Sequence, residues 1–137
     1  MKPIKIIIIA LCTFTVMSCA ETQQVLQTAG RVQLDGQYAV TSVNGKTTNG
    51  QTITFSGLSQ KISGNGGCND FFADYTLNNL SLNIGEIGST RKACPNMDKE
   101  NEFFNALSKV ASYNKSDGVL TLYAQDNSTV IVQATSN

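Results

Sequence analysis

From residue 37 onward, short segments of alternating apolar and polar residues are separated by turn residues, a pattern typical of an antiparallel sheet. Asn44-Gly45 and Asp117-Gly118 are strong signals for tight hairpin turns. The predicted strands are 37–43, 52–55, 60–63, 72–77, 80–84, 111–116, 119–123 and 129–133. A meander of about eight strands can close most of its edges into a barrel.

One segment breaks the period of two. Its apolar residues recur at intervals of three and four, which predicts an amphipathic helix over residues 96–110. We expect the Asn96 side chain to cap the first turn and Lys109 to lie near the C-terminus, where a cation suits the helix dipole. The predicted fold class is therefore mainly β (α+β): an antiparallel, barrel-like meander of about eight strands with one amphipathic helix.

The N-terminus has the pattern of an export signal. Lys2 and Lys5 precede an apolar run over residues 6–17, which is shorter than the roughly 20 residues that a transmembrane helix needs. The run ends at Ser18-Cys19, and this junction resembles that of a bacterial lipoprotein signal. Cys12 does not fit, because Leu11 before it is too large for the cleavage position.

These features divide the chain into three predicted segments. Residues 1–18 are a lipoprotein signal peptide, residues 19–35 are a flexible tether that begins at lipidated Cys19, and residues 36–137 are the folded domain. The Gln and Thr content of the tether argues against packing. We expect the protein in the bacterial cell envelope, lipid-anchored, facing the periplasm or at the outer membrane.

Charge and composition narrow the function classes. The chain has 10 Lys+Arg, 10 Asp+Glu and no His. Zero net charge offers no basic field for phosphate backbones, so nucleic acid is not an expected partner. Histidine is the side chain most used in acid–base catalysis and metal binding, so its absence points away from an enzyme. We therefore expect no catalytic residues, no cofactor and no metal.

The cysteines carry the most specific chemistry of the chain. With Cys19 acylated, Cys68 and Cys94 remain as an even pair in an exported protein, where disulfides form and persist. A zinc site would need further ligands, and the chain has no His to supply them. Two separate buried thiols are the other alternative. We predict a disulfide between Cys68 and Cys94, which would join the start of the helix to the sheet.

Other polar patterns have a catalytic interpretation and a plainer structural one. Ser89 and Lys92 fit the S-x-x-K pattern of penicillin-binding enzymes, but the partner motifs are absent, and a turn leading to Cys94 is preferred. Asp70 and Asp74 would face the same side of one strand, as paired carboxylates or as part of a solvated face. We prefer the solvated face. The glycines of residues 64–67 predict a bulge or tight bend rather than a phosphate loop.

The segment around the two cysteines resembles a known family, the META domain of HslJ-like proteins, over roughly residues 36–133. The residues that carry the resemblance are Gly67-Cys68-Asn69, Tyr75, 89–95, Met97, Glu100, Phe103, Leu107, Tyr113 and 118–122. The resemblance implies a compact, mainly antiparallel barrel-like domain with one helix, and no established reaction. It also implies export or lipid anchoring and, for some members, a link to stress responses. Glu100 matches the family's helix Glu, and we expect it to cap the helix or pair at the surface.

Two functional hypotheses follow. The first is a noncatalytic envelope lipoprotein, stress-related or partner-binding, with the membrane and another envelope protein as partners. The alternative is a small-ligand-binding barrel or an inhibitor of a periplasmic hydrolase. Chain length favours the first, because side chains would fill so small a barrel. The residues expected to fill it are Phe55, Phe72, Phe103, Phe104, Leu107, Leu120 and Leu122.

Overall fold

The computed structural model describes residues 29, 31 and 33–137, so the predicted signal peptide 1–18 and Cys19 lie outside the described residues. The strands are β1 Gly36–Val43, β2 Lys46–Thr47, β3 Thr52–Ser56, β4 Lys61–Asn65, β5 Asp70–Asn78, β6 Ser81–Ile84, β7 Gly88–Ser89, β8 Ser112–Ser116, β9 Val119–Tyr123 and β10 Val130–Ser136. The helix α1 spans Met97–Leu107 and lies between β7 and β8. No helix in these described parts is long and apolar enough to cross a membrane.

Eight of these strands form a closed antiparallel barrel. Their order is β10-β9-β8-β6-β5-β4-β3-β1, and β1 pairs with β10 to close it. The short strands β2 and β7 add to β1 and β5. The pairing between β6 and β8 is the shortest around the barrel, with the single residue pair Ser81 and Ser112. The predicted fold class, mainly β with a barrel-like meander and an amphipathic helix, is confirmed.

Strand alternation determines which side chains enter the barrel. Along β5, buried and exposed residues alternate without interruption, so Phe71 and Tyr75 point inward while Asp70 and Asp74 point outward. Phe72 was expected in the core, and this prediction is wrong, because its side chain is 65% exposed. The adjacent aromatic residues Phe71 and Phe72 must face opposite sides. Phe71 is the one in phase with the buried Tyr75.

Aromatic rings occupy much of the barrel interior. Phe55 contacts Tyr38 and Tyr75 edge to face, with ring centroids 6.2 and 5.3 Å apart. Nearer the helix, Phe71 contacts Phe103 of α1 in the same geometry at 5.7 Å. The expected core residues Phe55, Phe103, Leu107, Leu120 and Leu122 are buried, whereas Phe104 is partly buried.

Helix α1 covers one end of the barrel and differs from its prediction at both termini. Asn96 precedes it with φ 69° and ψ 43° and makes no side-chain capping hydrogen bond. A capping side chain requires an extended backbone, so this left-handed conformation explains why the predicted cap does not form. The helix ends at Leu107, so Lys109 lies beyond it and not in its last turn.

The residues just before β1 belong to the folded domain. Leu34 is 0% exposed, and its carbonyl accepts a hydrogen bond from the Tyr38 hydroxyl at 2.8 Å. The Gly57 amide donates to Asp35 Oδ1 at 2.7 Å. Lys115 Nζ donates to the Gln33 carbonyl at 2.9 Å. The tether predicted for 19–35 is therefore wrong in its last residues, because one buried leucine and three hydrogen bonds anchor them to the barrel.

The barrel has two different ends. At the helix end, the turn between β4 and β5 lies against α1 through hydrogen bonds to Glu100. At the opposite end, which we call the N-terminal end, residues 33–35 contact the β3–β4 turn through Gly57. Because β3, β4 and β5 are antiparallel, the β3–β4 and β5–β6 turns both lie at this N-terminal end.

Leu34 provides a test of where the domain begins. We expect Leu34→Ala to lower the free energy of unfolding by about 2–5 kcal/mol, because it leaves a cavity in the core where the Leu34 side chain is fully buried. The matched control is Leu58→Ala, since the Leu58 side chain is 104% exposed and its removal should change stability by less than about 0.5 kcal/mol. Urea unfolding measures both. Equal, small losses would mean that the segment before β1 does not pack.

Candidate functional site

The predicted cysteine pair lies at the junction of sheet and helix. Cys68 is in the β4–β5 turn, and Cys94 lies three residues before the first residue of α1. A disulfide joins them in the structure, with Cα atoms 6.3 Å apart. This bond links the turn to the chain segment that enters the helix.

A buried carboxylate lies beside this disulfide. Glu100, in the first turns of α1, is only 3% exposed. Its Oε2 accepts hydrogen bonds from the backbone amides of Cys68 at 3.0 Å and Asn69 at 2.6 Å. Its Oε1 accepts one from Asn69 Nδ2 at 2.7 Å. Glu100 was expected to cap the helix or pair at the surface, and that prediction is wrong, because it binds the β4–β5 turn.

Asn69 extends the network to the segment before Cys94. The Asn69 side chain is buried, and its Nδ2 also donates to the Lys92 carbonyl at 3.2 Å. Its Oδ1 accepts from Thr90 Oγ1 at 2.9 Å and from the Lys92 amide at 2.7 Å. An asparagine amide can make four such bonds, so every donor and acceptor of Asn69 is used. The amide therefore holds three chain segments in one arrangement.

Two glycines allow the turn and the helix to approach closely. A Cβ on Gly66 would lie 2.6 Å from the Phe104 ring and 2.9 Å from Glu100 Cγ, so a larger residue would push α1 away. Gly67 has φ +116°, a conformation that other residues rarely adopt. The predicted tight bend at 64–67 is thus present, and it brings the amides of the turn to Glu100.

The surroundings of Glu100 determine its protonation. Burial raises the pKa of this carboxyl, but hydrogen bonds from the Asn69 side chain and from the amides of Asn69 and Cys68 outweigh that effect. The net pKa lies below the ordinary value. At neutral pH, Glu100 therefore carries no proton to donate, and its oxygens already accept hydrogen bonds from the protein. Such a group holds structure together and is poorly suited to acid–base chemistry.

A second buried polar side chain, Gln51, lies on the other side of the same turn. Its Nε2 donates to the carbonyls of Gly66 at 3.1 Å and Lys99 at 3.3 Å. Its Oε1 accepts from Thr48 Oγ1 at 2.6 Å. A cleft of about 170 Å³ opens between Gln51 and the disulfide. The buried polar groups that border this cleft are already hydrogen bonded, so the cleft offers few free groups to a ligand.

The two aspartates lie on the outer wall of the barrel. Asp70 and Asp74 are both exposed on the same face of β5, as the alternation predicts. Asp70 Oδ1 accepts from Asn65 Nδ2 and Asp74 Oδ1 pairs with Lys61 Nζ, each at 2.8 Å. Four residues of strand place them about 13 Å apart, which is beyond the ~5–9.5 Å separation of glycosidase carboxylates. The geometry fits a solvated face.

Ser89 and Lys92 are not arranged as a nucleophile and base. Ser89 is exposed on β7, opposite Phe71 of β5. The backbone of Lys92 is bound to Asn69, while its side chain is exposed. Within the described part of the chain, no hydrogen bond joins the two side chains. The same part contains no group of three His, Cys, Asp or Glu residues able to hold a metal ion.

Three residues of this site were not predicted from the sequence. Asn69 was part of the family resemblance, and its position beside Cys68 was the only signal for a role. Thr90 lies in the 89–95 segment of the resemblance, which assigned it no role. Gln51 is in phase with Ile53 and Phe55 of β3, and this alternation was the only signal that its side chain is buried. Apart from Thr48, their partners are 15 to 48 residues away along the chain, and such contacts require the folded barrel.

The Glu100 network predicts a specific dependence of stability on pH. In Glu100→Gln, an amide NH2 must face either Asn69 Nδ2 or the turn amides, all of which are donors. We expect a loss of about 2–4 kcal/mol at pH 7. Because the folded pKa lies below the ordinary value of 4.5, the contribution is complete above pH 4.5 and is lost as the pH falls through the folded pKa.

Urea unfolding at pH 7, 5, 4 and 3 measures this difference between wild type and Glu100→Gln. The difference should shrink towards pH 3. Asp98→Asn is the control, because it removes an exposed carboxylate from the same helical turn and should change stability much less. A difference that stays constant over this pH range would contradict the assigned role of the ionised carboxylate.

The disulfide predicts a second pattern. We expect Cys68→Ala and Cys94→Ala each to lower the free energy of unfolding by about 2–5 kcal/mol, because either change opens the same covalent loop. The double variant should cost little more than either single variant. Additive losses would contradict a bond between the two residues, as would complete thiol labelling of the folded, non-reduced protein.

Comparisons with known proteins agree with this architecture. The profile of the META domain matches residues 31–137. An NMR structure of a protein from Burkholderia xenovorans is similar, with 21% identity, a TM-score of 0.60, and coverage of 80% of this chain and 88% of that chain. A second NMR structure has 27% identity, a TM-score of 0.61, and coverage of 77% and 93%.

A third similar structure is the crystal structure of a DUF4847 family protein from Bacteroides vulgatus, with 16% identity, a TM-score of 0.58, and coverage of 80% and 97%. No curated protein matches the chain. These similarities show a shared fold, and the profile match covers most of the chain, including Asn69, Glu100 and both bonded cysteines. The chain belongs to the META domain family.

Proposed function

We propose that this protein is an HslJ-like, noncatalytic lipoprotein of the bacterial cell envelope that binds another envelope protein through the outer wall of its barrel. The observation that carries the proposal is the closed hydrogen-bond network of Glu100 and Asn69. The most enzyme-like group of the domain, a buried carboxylate, already accepts three hydrogen bonds from the protein. Its role is to hold the turn in place. The groups available to bind a partner are therefore those on the outer surface of the barrel.

The remaining polar groups support a noncatalytic function. The chain has no His, and Ser89 and Lys92 are both exposed on the segment before Cys94. Asp70 and Asp74 are too far apart for paired acid–base work. A nucleophile, its base and an orienting group must be within hydrogen-bonding distance of one another to act together.

The packed interior supports surface binding over a ligand inside the barrel. Two groups of fully buried rings make edge-to-face contacts inside the barrel. One group is Tyr38, Phe55 and Tyr75, and the other is Phe71 and Phe103. An eight-stranded barrel has an interior just wide enough for side chains. The space that a small ligand would need is taken by these rings.

The wall formed by β3, β4 and β5 offers a contact surface. Phe72 lies on β5, at the edge of this wall next to β7, and its ring is supported by Gly88 of β7, where an added Cβ would lie 2.7 Å from the ring. Asp70 and Asp74 are on either side of it along β5, and Ser63 is its partner on β4. We call these four residues the Phe72 surface. An exposed aromatic ring with a polar rim is the arrangement typical of interface hot spots.

The charge of the Phe72 surface suggests the chemistry of the partner. Two carboxylates flank the ring, and one of them is paired with Lys61. A cationic side chain of the partner could lie over the ring and between these carboxylates, where both attract it. We therefore propose a partner segment that presents Arg or Lys next to an apolar residue.

Anchoring and stress association complete the proposal. Lys2, Lys5 and the junction Ser18-Cys19 support export and lipidation of Cys19. Two acyl chains would hold the mature protein at a membrane. The stress-related role rests on the resemblance to HslJ-like proteins alone.

A single experiment tests both parts. A photoreactive phenylalanine analogue replaces Phe72 in the full chain, which is expressed in a bacterial host, irradiated in intact cells and purified from membranes. We expect a discrete adduct with an envelope protein from position 72. The control carries the analogue at Asn114, an exposed position on β8, and should give no such adduct. The mass of the uncrosslinked protein should show acylated Cys19.

Two results would overturn the proposal. An equal yield of adducts from positions 72 and 114, or none from either during normal and stressed growth, would contradict the Phe72 surface. A mature chain with unmodified Cys19 would contradict the lipoprotein assignment.

A further inference from the structure

Two leucines are exposed at the tips of hairpins. Leu58, in the β3–β4 turn, is 104% exposed, and Leu80, in the β5–β6 turn, is 66% exposed. A single exposed leucine is ordinary on a protein surface. The unusual feature is their common position, because both turns lie at the N-terminal end of the barrel, where the chain enters the domain.

The register of the strands places these tips beside the entering chain. The Gly57 amide, adjacent to Leu58, donates to Asp35 Oδ1 at 2.7 Å. Strand β5 continues beyond its last partner on β4, and the Tyr75 amide donates to the Gln60 carbonyl at 2.9 Å. The β5–β6 hairpin therefore projects past the β3–β4 turn in the same direction.

The two tips carry no charge. The β3–β4 turn consists of Gly57-Leu58-Ser59-Gln60, and the residues around Leu80 are Asn78, Asn79 and Ser81. The nearest ionised groups are Asp35, which accepts from the Gly57 amide, and Lys61, next to Gln60, so only a shallow insertion of the leucine side chains would keep these charges in water. The third turn at this end, between β8 and β9, contains the charged Asp117 and would therefore remain in water.

The length of chain between Cys19 and the domain limits the distance to the membrane. Ten Cα–Cα steps lead from Cys19 to Ala29, the first described residue. They span at most about 35 Å when fully extended. Because the chain enters the domain at the N-terminal end of the barrel, an anchor at Cys19 would be attached to this end and not to the helix end.

We propose that Leu58 and Leu80 insert into the interfacial layer of the membrane that holds the acylated Cys19. This contact would orient the barrel with its N-terminal end towards the lipid and the disulfide away from it. The proposal rests on the proposed lipid anchor. The lipid anchor favours this insertion, because it keeps the domain at a high effective concentration near the membrane surface. Burial of two leucine side chains is then enough to bias the orientation of the domain.

Tryptophan fluorescence tests the contact, because the chain has no Trp of its own. Leu58→Trp, Leu80→Trp and Phe72→Trp are made as single variants in the full chain, purified as lipidated proteins and reconstituted in phosphatidylcholine vesicles with brominated acyl chains. Phe72 is the matched control, because it is as exposed as Leu80 but lies on the barrel wall.

We expect bromolipids to quench the fluorescence of Leu58→Trp and Leu80→Trp at least about twofold more than that of Phe72→Trp, with emission shifted to the blue. Equal quenching of all three variants would overturn the proposal. A blue shift without bromolipid quenching would also overturn it, because the tips would then be covered by a second copy of the chain.

A separate arm distinguishes failure of the anchor from failure of the tips. If mass spectrometry shows no acyl group on Cys19, the anchor proposal fails. The unlipidated chain from residue 19 is then coupled through the Cys19 thiol to a maleimide lipid in the same vesicles. Stronger quenching of the Leu58 and Leu80 variants in this arm would still support tip insertion, and its absence would overturn it.

Discussion

The hydrogen bonds between the Glu100 carboxylate and the β4–β5 turn are the constraint on which the helix end of this barrel depends. A buried carboxylate is tolerated only when donors surround it, and here the amides of Cys68 and Asn69 and the Asn69 side chain supply them. These bonds fix both the rotation and the axial position of α1. Phe103 then contacts Phe71 edge to face inside the barrel. The hydrogen bonds of Glu100 thus determine which side of α1 faces the barrel interior.

The disulfide and the carboxylate stabilise the same junction by different mechanisms. The bond between Cys68 and Cys94 acts mainly by restricting the unfolded chain. The Glu100 bonds act in the folded state, where each donor would otherwise be buried without a partner. Asn69 connects the two, because its amide also binds the backbone of Lys92, two residues before Cys94. Close approach at Gly66 makes the arrangement sterically possible.

The parts of this fold that depend on local periodicity were predictable, and those that depend on distant partners were not. Alternation along the chain is sufficient to predict the barrel strands, because one face of each is buried. The same rule failed at Phe71 and Phe72, where either phase of the strand buries a ring. Burial of Glu100 depends on donors 31 and 32 residues away. Leu34 lies outside the alternating segments that begin at residue 37, so the strand pattern did not indicate its burial.

The two ends of the barrel are formed by different structures. The helix end is closed by a buried network and a disulfide, so its conformation has little freedom. The N-terminal end is formed by tight turns and the entering chain. If Leu58 and Leu80 insert into the membrane as proposed, the wall between the ends stands roughly perpendicular to the lipid surface. The Phe72 surface on that wall would then face sideways, where a partner held in the same membrane could reach it without moving either end of the barrel.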